Sequence, residues 1–294
     1  MKNYLVLIAL FMVSLGAAMA RQSATIAAKI DIENSFDLIY KVVDEDTLKL
    51  TFTYPEEFDE AQDYPTIIFY FGGGWNGGTI EQFRPQANYF ASRGMITVLA
   101  DYRVKSRHQT TPYEAVNDAK SAMRFLRENA GDLNIDSDRI VASGGSAGGH
   151  LAAACGTLPG LDEEGEDLSI SAVPNALVLY NPVFDNGPDG FEHKRMGDRY
   201  LEISPAHNIT AGTPPTVVFL GTEDHLIPVS IAENYKEKME EVGSRCDLHL
   251  YEGQGHGFFN NNKGDGIYYR LTTIEADLFL ASLGYIEGPP TMQK

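Results

Sequence analysis

Apolar residues fall into short, evenly spaced blocks along the chain. Leu48, Leu50, Phe52 and Tyr54 alternate with polar neighbours and stop at Pro55, the period of a half-exposed strand. Thr66 to Phe71, Met95 to Ala100, Ile140 to Ala142, Ala176 to Tyr180, Thr216 to Gly221 and Asp247 to Tyr251 are compact apolar runs. Most suit strands buried on both faces. Between them the period lengthens to that of a helix: about Gln82 to Arg93, Tyr113 to Asn129 (Ala115, Ala119, Ala122, Met123 and Leu126 on one face), His150 to Cys155, Val229 to Val242 and Ile267 to Ala281. Strands alternating with helices predict one doubly wound, mostly parallel α/β sheet.

Three stretches break the alternation. Arg21 to Glu45 has no strong pattern beyond a short entry segment. Pro159 to Glu166, rich in Gly, Asp and Glu, is expected to be a solvated loop. Asn181 to Pro215 has weak periodicity with many Gly, Pro and Asp, and fits a lid or insertion as readily as a plain long loop.

At the amino terminus, Met1-Lys2-Asn3 precedes the apolar run Tyr4 to Val13, and Ala18-Met19-Ala20 has the small-x-small form of a cleavage site. The expectation is a signal peptide over 1–20, a single domain over 21–294, and a periplasmic or secreted product with no stable membrane anchor. A net charge of −18 argues against nucleic acid or an anionic membrane as partner. The two cysteines, Cys155 and Cys246, fall on elements far apart in such a topology and are expected as separate thiols.

The chemistry gathers where strands end. Ile140-Val141-Ala142 runs into Gly144-Gly145-Ser146-Ala147-Gly148-Gly149, and a helix follows. A serine between glycines at a strand-to-helix turn is the G-x-S-x-G nucleophile elbow; the alternative is a glycine turn that holds phosphate or only reverses the chain. If Ser146 is a nucleophile, the helix aims its first amide, that of Ala147, at an oxyanion forming above the hydroxyl. A second glycine cluster, Gly72-Gly73-Gly74, follows the strand Thr66 to Phe71. It stands where esterases carry an H-G-G-G oxyanion loop, with Phe71 in the histidine position. Trp75, the only tryptophan, is a candidate for lining the substrate pocket or for packing.

A serine hydroxyl needs a base, and the base needs an orienting acid. Of seven histidines, His256 lies in a glycine-rich loop (Gly253-Gln254-Gly255-His256-Gly257) directly past a strand's carboxyl end. His108 and His225 are candidate substrate contacts, and His150 sits too close behind Ser146 to reach back to it. Asp224 follows Gly221-Thr222-Glu223 at another strand end, with Glu223 and Asp185 as rivals for the acid. The order Ser, Asp, His is that of one large group of hydrolases.

On these four segments (Gly72 to Trp75, Gly144 to His150, Gly221 to Asp224, Gly255 to Phe258) the chain resembles the α/β-hydrolase superfamily over nearly its whole mature length. It looks most like hormone-sensitive-lipase-like carboxylesterases and bacterial acetyl-xylan or feruloyl esterases. The segments Asp224 to Pro228 and Gly255 to Gly257 are also similar to prolyl-oligopeptidase-type peptidases, but the chain has no room for their propeller. The resemblance implies Ser146 as nucleophile, His256 as base and Asp224 as acid, with the amides of Ala147 and of Gly73 or Gly74 as oxyanion donors. It implies neither metal nor cofactor, and a small-molecule or polysaccharide ester as substrate. An arylformamidase-type amidase, a small peptidase and a non-catalytic carbohydrate-binding relative are the competing expectations.

Overall fold

The computed structural model describes residues 34–293; the expected signal peptide lies outside them. Eight strands form one sheet: β1 (Ser35–Val43), β2 (Asp46–Thr53), β3 (Tyr64–Tyr70), β4 (Ile96–Ala100), β5 (Ile135–Gly145), β6 (Ala176–Tyr180), β7 (Thr216–Gly221) and β8 (Cys246–Tyr251). Their spatial order is β1-β2-β4-β3-β5-β6-β7-β8. The β1–β2 hairpin is antiparallel and joins β4 antiparallel; every pair from β4 through β8 is parallel. Strands β3, β4, β6 and β7 are buried at every position, which is why they read as continuous apolar runs.

Five longer helices cover the two faces: α1 (Arg84–Ser92), α2 (Pro112–Glu128), α3 (Ala147–Thr157), α4 (Val229–Glu241) and α5 (Ile267–Ser282). The apolar sides of α2, α3 and α4 join one core, through Ala119, Met123, Leu151 and Tyr235. Those of α1 and α5 join the other, through Phe90, Phe279 and Leu280. Thr111 and Glu114 close a capping box on α2, and Pro112 starts the helix where its missing N–H costs nothing.

Two expectations change. The segment over 35–43, which shows no strong pattern in sequence, is a strand. It lies at the sheet edge and carries a register shift between Ile39 and Lys41, so Ile39 and Val42 face solvent and the period-2 signal is lost. Strand β5 also starts at Ile135, ahead of its apolar run, because Tyr64 pairs with Ile135 before a further register shift.

The acidic loop over 159–166 is docked, not merely solvated. Lys41 on β1 lies 2.8 Å from Asp118 on α2, which also takes Arg103 through two oxygens at 2.7 and 2.8 Å. Arg103 reaches on to Glu163 at 3.0 Å, while Arg124 holds Glu166 at 2.8 Å and also pairs with Asp162. Burial works against the Glu163 charge, but hydrogen bonding and attraction from Lys41 and Arg103 bring its carboxyl below the usual range. Cys155 and Cys246 are buried, unpaired thiols. Among the described residues no helix is long and apolar enough to cross a membrane.

Candidate active site

The turn between β5 and α3 holds Ser146 at φ 54° and ψ −119°, a region that costs a non-glycine residue about 1–3 kcal/mol. Three backbone bonds sustain it: Ser146 N–H donates to Tyr180 O at 2.9 Å, and Ser146 O accepts from His150 N at 2.9 Å and Val183 N at 3.2 Å. The turn can lie this deep only because Gly148 has no side chain. A Cβ there would come within 2.0 Å of Tyr70 O and 2.5 Å of Phe71 O. Packing thus lifts the hydroxyl to the carboxyl edge of the sheet.

Two loops from neighbouring strands converge on that hydroxyl. Beyond β8, His256 places Nε2 at 2.8 Å from Ser146 Oγ. Its Nδ1 lies 2.7 Å from Asp224 Oδ2. An ionised carboxylate only accepts, so Nδ1 carries the proton and Nε2 is left to accept from the serine. Asp224 stands past β7, its carboxylate wholly buried and its other oxygen accepting from the amides of Leu226 (2.9 Å) and Ile227 (3.0 Å). Those amides let a charge persist out of water. Of the rivals, Glu223 is exposed, and Asp185 accepts from the Gly187 amide and sits 3.8 Å from His207.

The loop after β3 lies against the serine, since a Cβ on Gly72 would be 3.3 Å from Ser146 Cβ. Gly73 has φ 137° and its missing Cβ would be 2.1 Å from Gly77 O, so no other residue fits this bend. Among the described residues the Gly73 and Gly74 amides donate to no protein acceptor. Ala147, as the first residue of α3, has no intrahelical acceptor for its own N–H. The Gly72 amide is different: it donates to Gln82 Oε1 at 2.6 Å.

Phe71 takes the place of the motif histidine without leaving the loop unsupported. Its ring stacks on Tyr102 at 4.1 Å and 17°, and the Tyr102 hydroxyl donates to Phe71 O at 2.6 Å. On the other side Arg195, from the segment over 181–215, donates to Gly74 O at 2.7 Å and lies 5.7 Å from the Trp75 ring centroid.

Comparison with known proteins gives the family. Family models described as BD-FAE and as the dienelactone hydrolase family match residues 52–178 and 197–276. The fold superimposes on the propionate-bound form of an esterase, Est2, from Thermogutta terrifontis with a TM-score of 0.83 and 43% identity. That match spans 87% of this chain and 96% of the other. The chain belongs to the carboxylesterases of the α/β-hydrolase superfamily.

Curated relatives within the superfamily are more distant. Esterase LipC of Mycobacterium tuberculosis is 31% identical over 216 residues, 66% of this chain, so the match spans about half (53%) of LipC. Carboxylesterase NlhH of the same species is 28% identical over 222 residues, 67% of each chain.

Among the described residues none of the remaining candidates hydrogen-bonds the Ser146 hydroxyl. Trp75 is fully buried, edge-on to His150 at 5.0 Å and 87°, as a wall behind the glycine loop and not an open pocket face. His150 donates from Nε2 to Ile203 O at 2.8 Å; burial pushes its pKa down to about 4, so the ring is neutral. His108 accepts from the Val104 amide through Nδ1 at 2.9 Å and lies 3.9 Å from Asp46, contacts within its own turn and the β1–β2 hairpin. His225 is exposed on the wall of a separate cleft shared with Asp185, Asp189 and Glu192.

Four residues near the site escape the sequence patterns. Asn181, at the carboxyl end of β6, accepts from Gly257 N at 2.9 Å and puts its amide 3.4 Å from His256 Nε2. Its place just past a strand end is the one cue that could have flagged it. Gln82, Asn260 and Arg195 carry no such cue. Gln82 donates to Asn260 Oδ1 at 3.0 Å, and Asn260 donates to Gly257 O at 2.7 Å. A hydrogen-bonded path therefore runs from the glycine loop to the histidine loop. Among the described residues no group of three or more His, Cys, Asp or Glu side chains converges as metal ligands would.

Proposed function

We propose that the protein is an exported serine carboxylic-ester hydrolase that removes short acyl groups from a plant polysaccharide. The observation that carries the reading is the chain of two short hydrogen bonds, Asp224 to His256 to Ser146, beside a glycine loop with undirected amides. In this reading His256 Nε2 takes the Ser146 proton as Oγ attacks the ester carbonyl carbon. Asp224 steadies the imidazolium that results. The carbonyl oxygen becomes an oxyanion, held by the amides of Ala147 and of Gly73 or Gly74. Collapse breaks the bond to the alcohol oxygen, which leaves with the proton from His256. Water then attacks the acyl-serine with His256 again as base, releasing the acid and restoring the hydroxyl.

The esterase names of its relatives support the reaction type, and the propionate-bound form of Est2 supports a short acyl group. Acetyl is the preferred acyl group, with feruloyl as the aromatic alternative. Export follows from the amino-terminal pattern over 1–20. The deciding assay sets native enzyme and Ser146→Ala against nitrophenyl esters of rising chain length, acetylated xylan and feruloylated arabinoxylan. Native protein should favour the shortest acyl chains and release acetate or ferulate, and Ser146→Ala should lose on the order of 10⁴–10⁶-fold in kcat. Turnover that survives the substitution would sink the mechanism. Export is tested separately, by whether the amino terminus of the mature protein outside the cytoplasm begins at Arg21.

A further inference from the structure

A cleft of about 500 Å³ opens between the glycine loop and the segment that follows His256, and it reaches Ser146 through Gly72. That volume lies within the usual range for small-molecule sites, but the lining is unlike that of an alkyl pocket. Carboxamides dominate it: Gln82, Asn260, Asn261 and Asn262, joined by Thr79, Lys263 and Glu81, the last paired with Arg84. Pro85 is its one apolar side chain. We propose that this cleft is the subsite for the leaving alcohol and that it is built for a polyhydroxylated one, a sugar ring. The assignment rests on the ester-hydrolase reading above.

Position is the first argument. In that reading the departing oxygen takes its proton from His256 Nε2, so the alcohol must lie on the His256 side of Ser146. The cleft is bounded on one side by residues four to seven positions beyond His256, and on the other by Gly72, which backs onto Ser146.

Bonding is the second. Gln82 and Asn260 are held rigid by each other and by Gly72 N and Gly257 O, so they form a preorganised floor. Asn261 and Asn262 are exposed, and among the described residues their side chains make no hydrogen bond. Each carries a donor NH₂ and an acceptor oxygen, the pair that vicinal hydroxyls can answer. An alkyl alcohol would strip water from these groups and return nothing, whereas a sugar replaces each lost bond.

The test compares kcat/KM on an acetylated xylo-oligosaccharide with that on 4-nitrophenyl acetate, for native enzyme and for the double variant Asn261→Ala/Asn262→Ala. Circular dichroism checks that the variant is folded. The selectivity ratio, sugar ester over nitrophenyl ester, should fall about tenfold, mainly through KM on the sugar ester, as expected for two lost ligand hydrogen bonds. A ratio within about twofold of native, whether both rates hold or both fall together, overturns the subsite. If native enzyme cleaves nitrophenyl acetate and ignores the sugar ester, the subsite is wrong while the hydrolase reading stands. If it cleaves neither, both are wrong.

Discussion

Removing the Gln82 carboxamide tests how the glycine loop is held without its histidine. Gln82→Leu keeps the approximate volume but deletes the acceptor 2.6 Å from Gly72 N and the donor 3.0 Å from Asn260 Oδ1. A backbone amide left without an acceptor in a part-buried position costs about 1–3 kcal/mol. The loop can recover part of this by tilting Gly72 toward water, and that tilt carries the Gly73 and Gly74 amides with it. If the whole cost appears as misaligned oxyanion donors, it corresponds to about 5- to 150-fold in rate. The oxyanion exists only in the transition state, so the loss should fall on kcat and leave KM nearly untouched. Gln82→Glu, which keeps an oxygen for Gly72 N and loses only the donor toward Asn260, should recover part of the rate. Steady-state kinetics on nitrophenyl acetate, with melting curves to separate loosening from unfolding, decides the matter. A kcat for Gln82→Leu within about twofold of native, or a rise in KM at constant kcat, would refute the reasoning.

Two further predictions concern the elbow and the helix behind it. Gly148→Ala forces a Cβ to 2.0 Å from one backbone oxygen and 2.5 Å from another, neither able to rotate away. The variant should lose more than about 3 kcal/mol of stability, read by urea unfolding, and a native-like midpoint would show that the turn is softer than drawn. His150 has a folded-state pKa of about 4, below the ordinary value of 6.5, because burial disfavours its charge. The unfolded chain therefore binds that proton first. The neutral ring's contribution is complete above the unfolded value and is lost as pH falls toward 4, up to about 3 kcal/mol. Urea unfolding at pH 7.5 and 5 should give a smaller acid loss for His150→Gln than for native protein; parallel losses would place the acid sensitivity elsewhere.

What could be read from the sequence divides along a physical line. The elbow serine, the glycine loop, Asp224 and His256 are legible because each sits in a short turn whose backbone demands are written in its immediate neighbours. The inner strands are legible because burial on both faces leaves an uninterrupted apolar run. The edge strand β1 is not, since a register shift and an exposed outer face erase its period. Nor is the docking of Glu163, whose partners Lys41 and Arg103 arrive from a strand and a loop far away along the chain.

The glycine loop shows the same division within a single motif. Its glycines announce the loop, and the absence of histidine at Phe71 reads as a lost support. The support is present, but it is distributed. Gly72 is held from Gln82, which is itself braced across 178 positions by Asn260; Phe71 O is held by Tyr102; Gly74 O is held by Arg195, 121 positions away. A histidine inside the motif does this work through one side chain that a pattern can see. Spread over Gln82, Tyr102 and Arg195, the same constraint leaves no local trace, and because one brace passes through Asn260 to Gly257, it also couples the oxyanion loop to the loop that carries His256. Loosening either loop should therefore disturb the other, which a single motif histidine would not require.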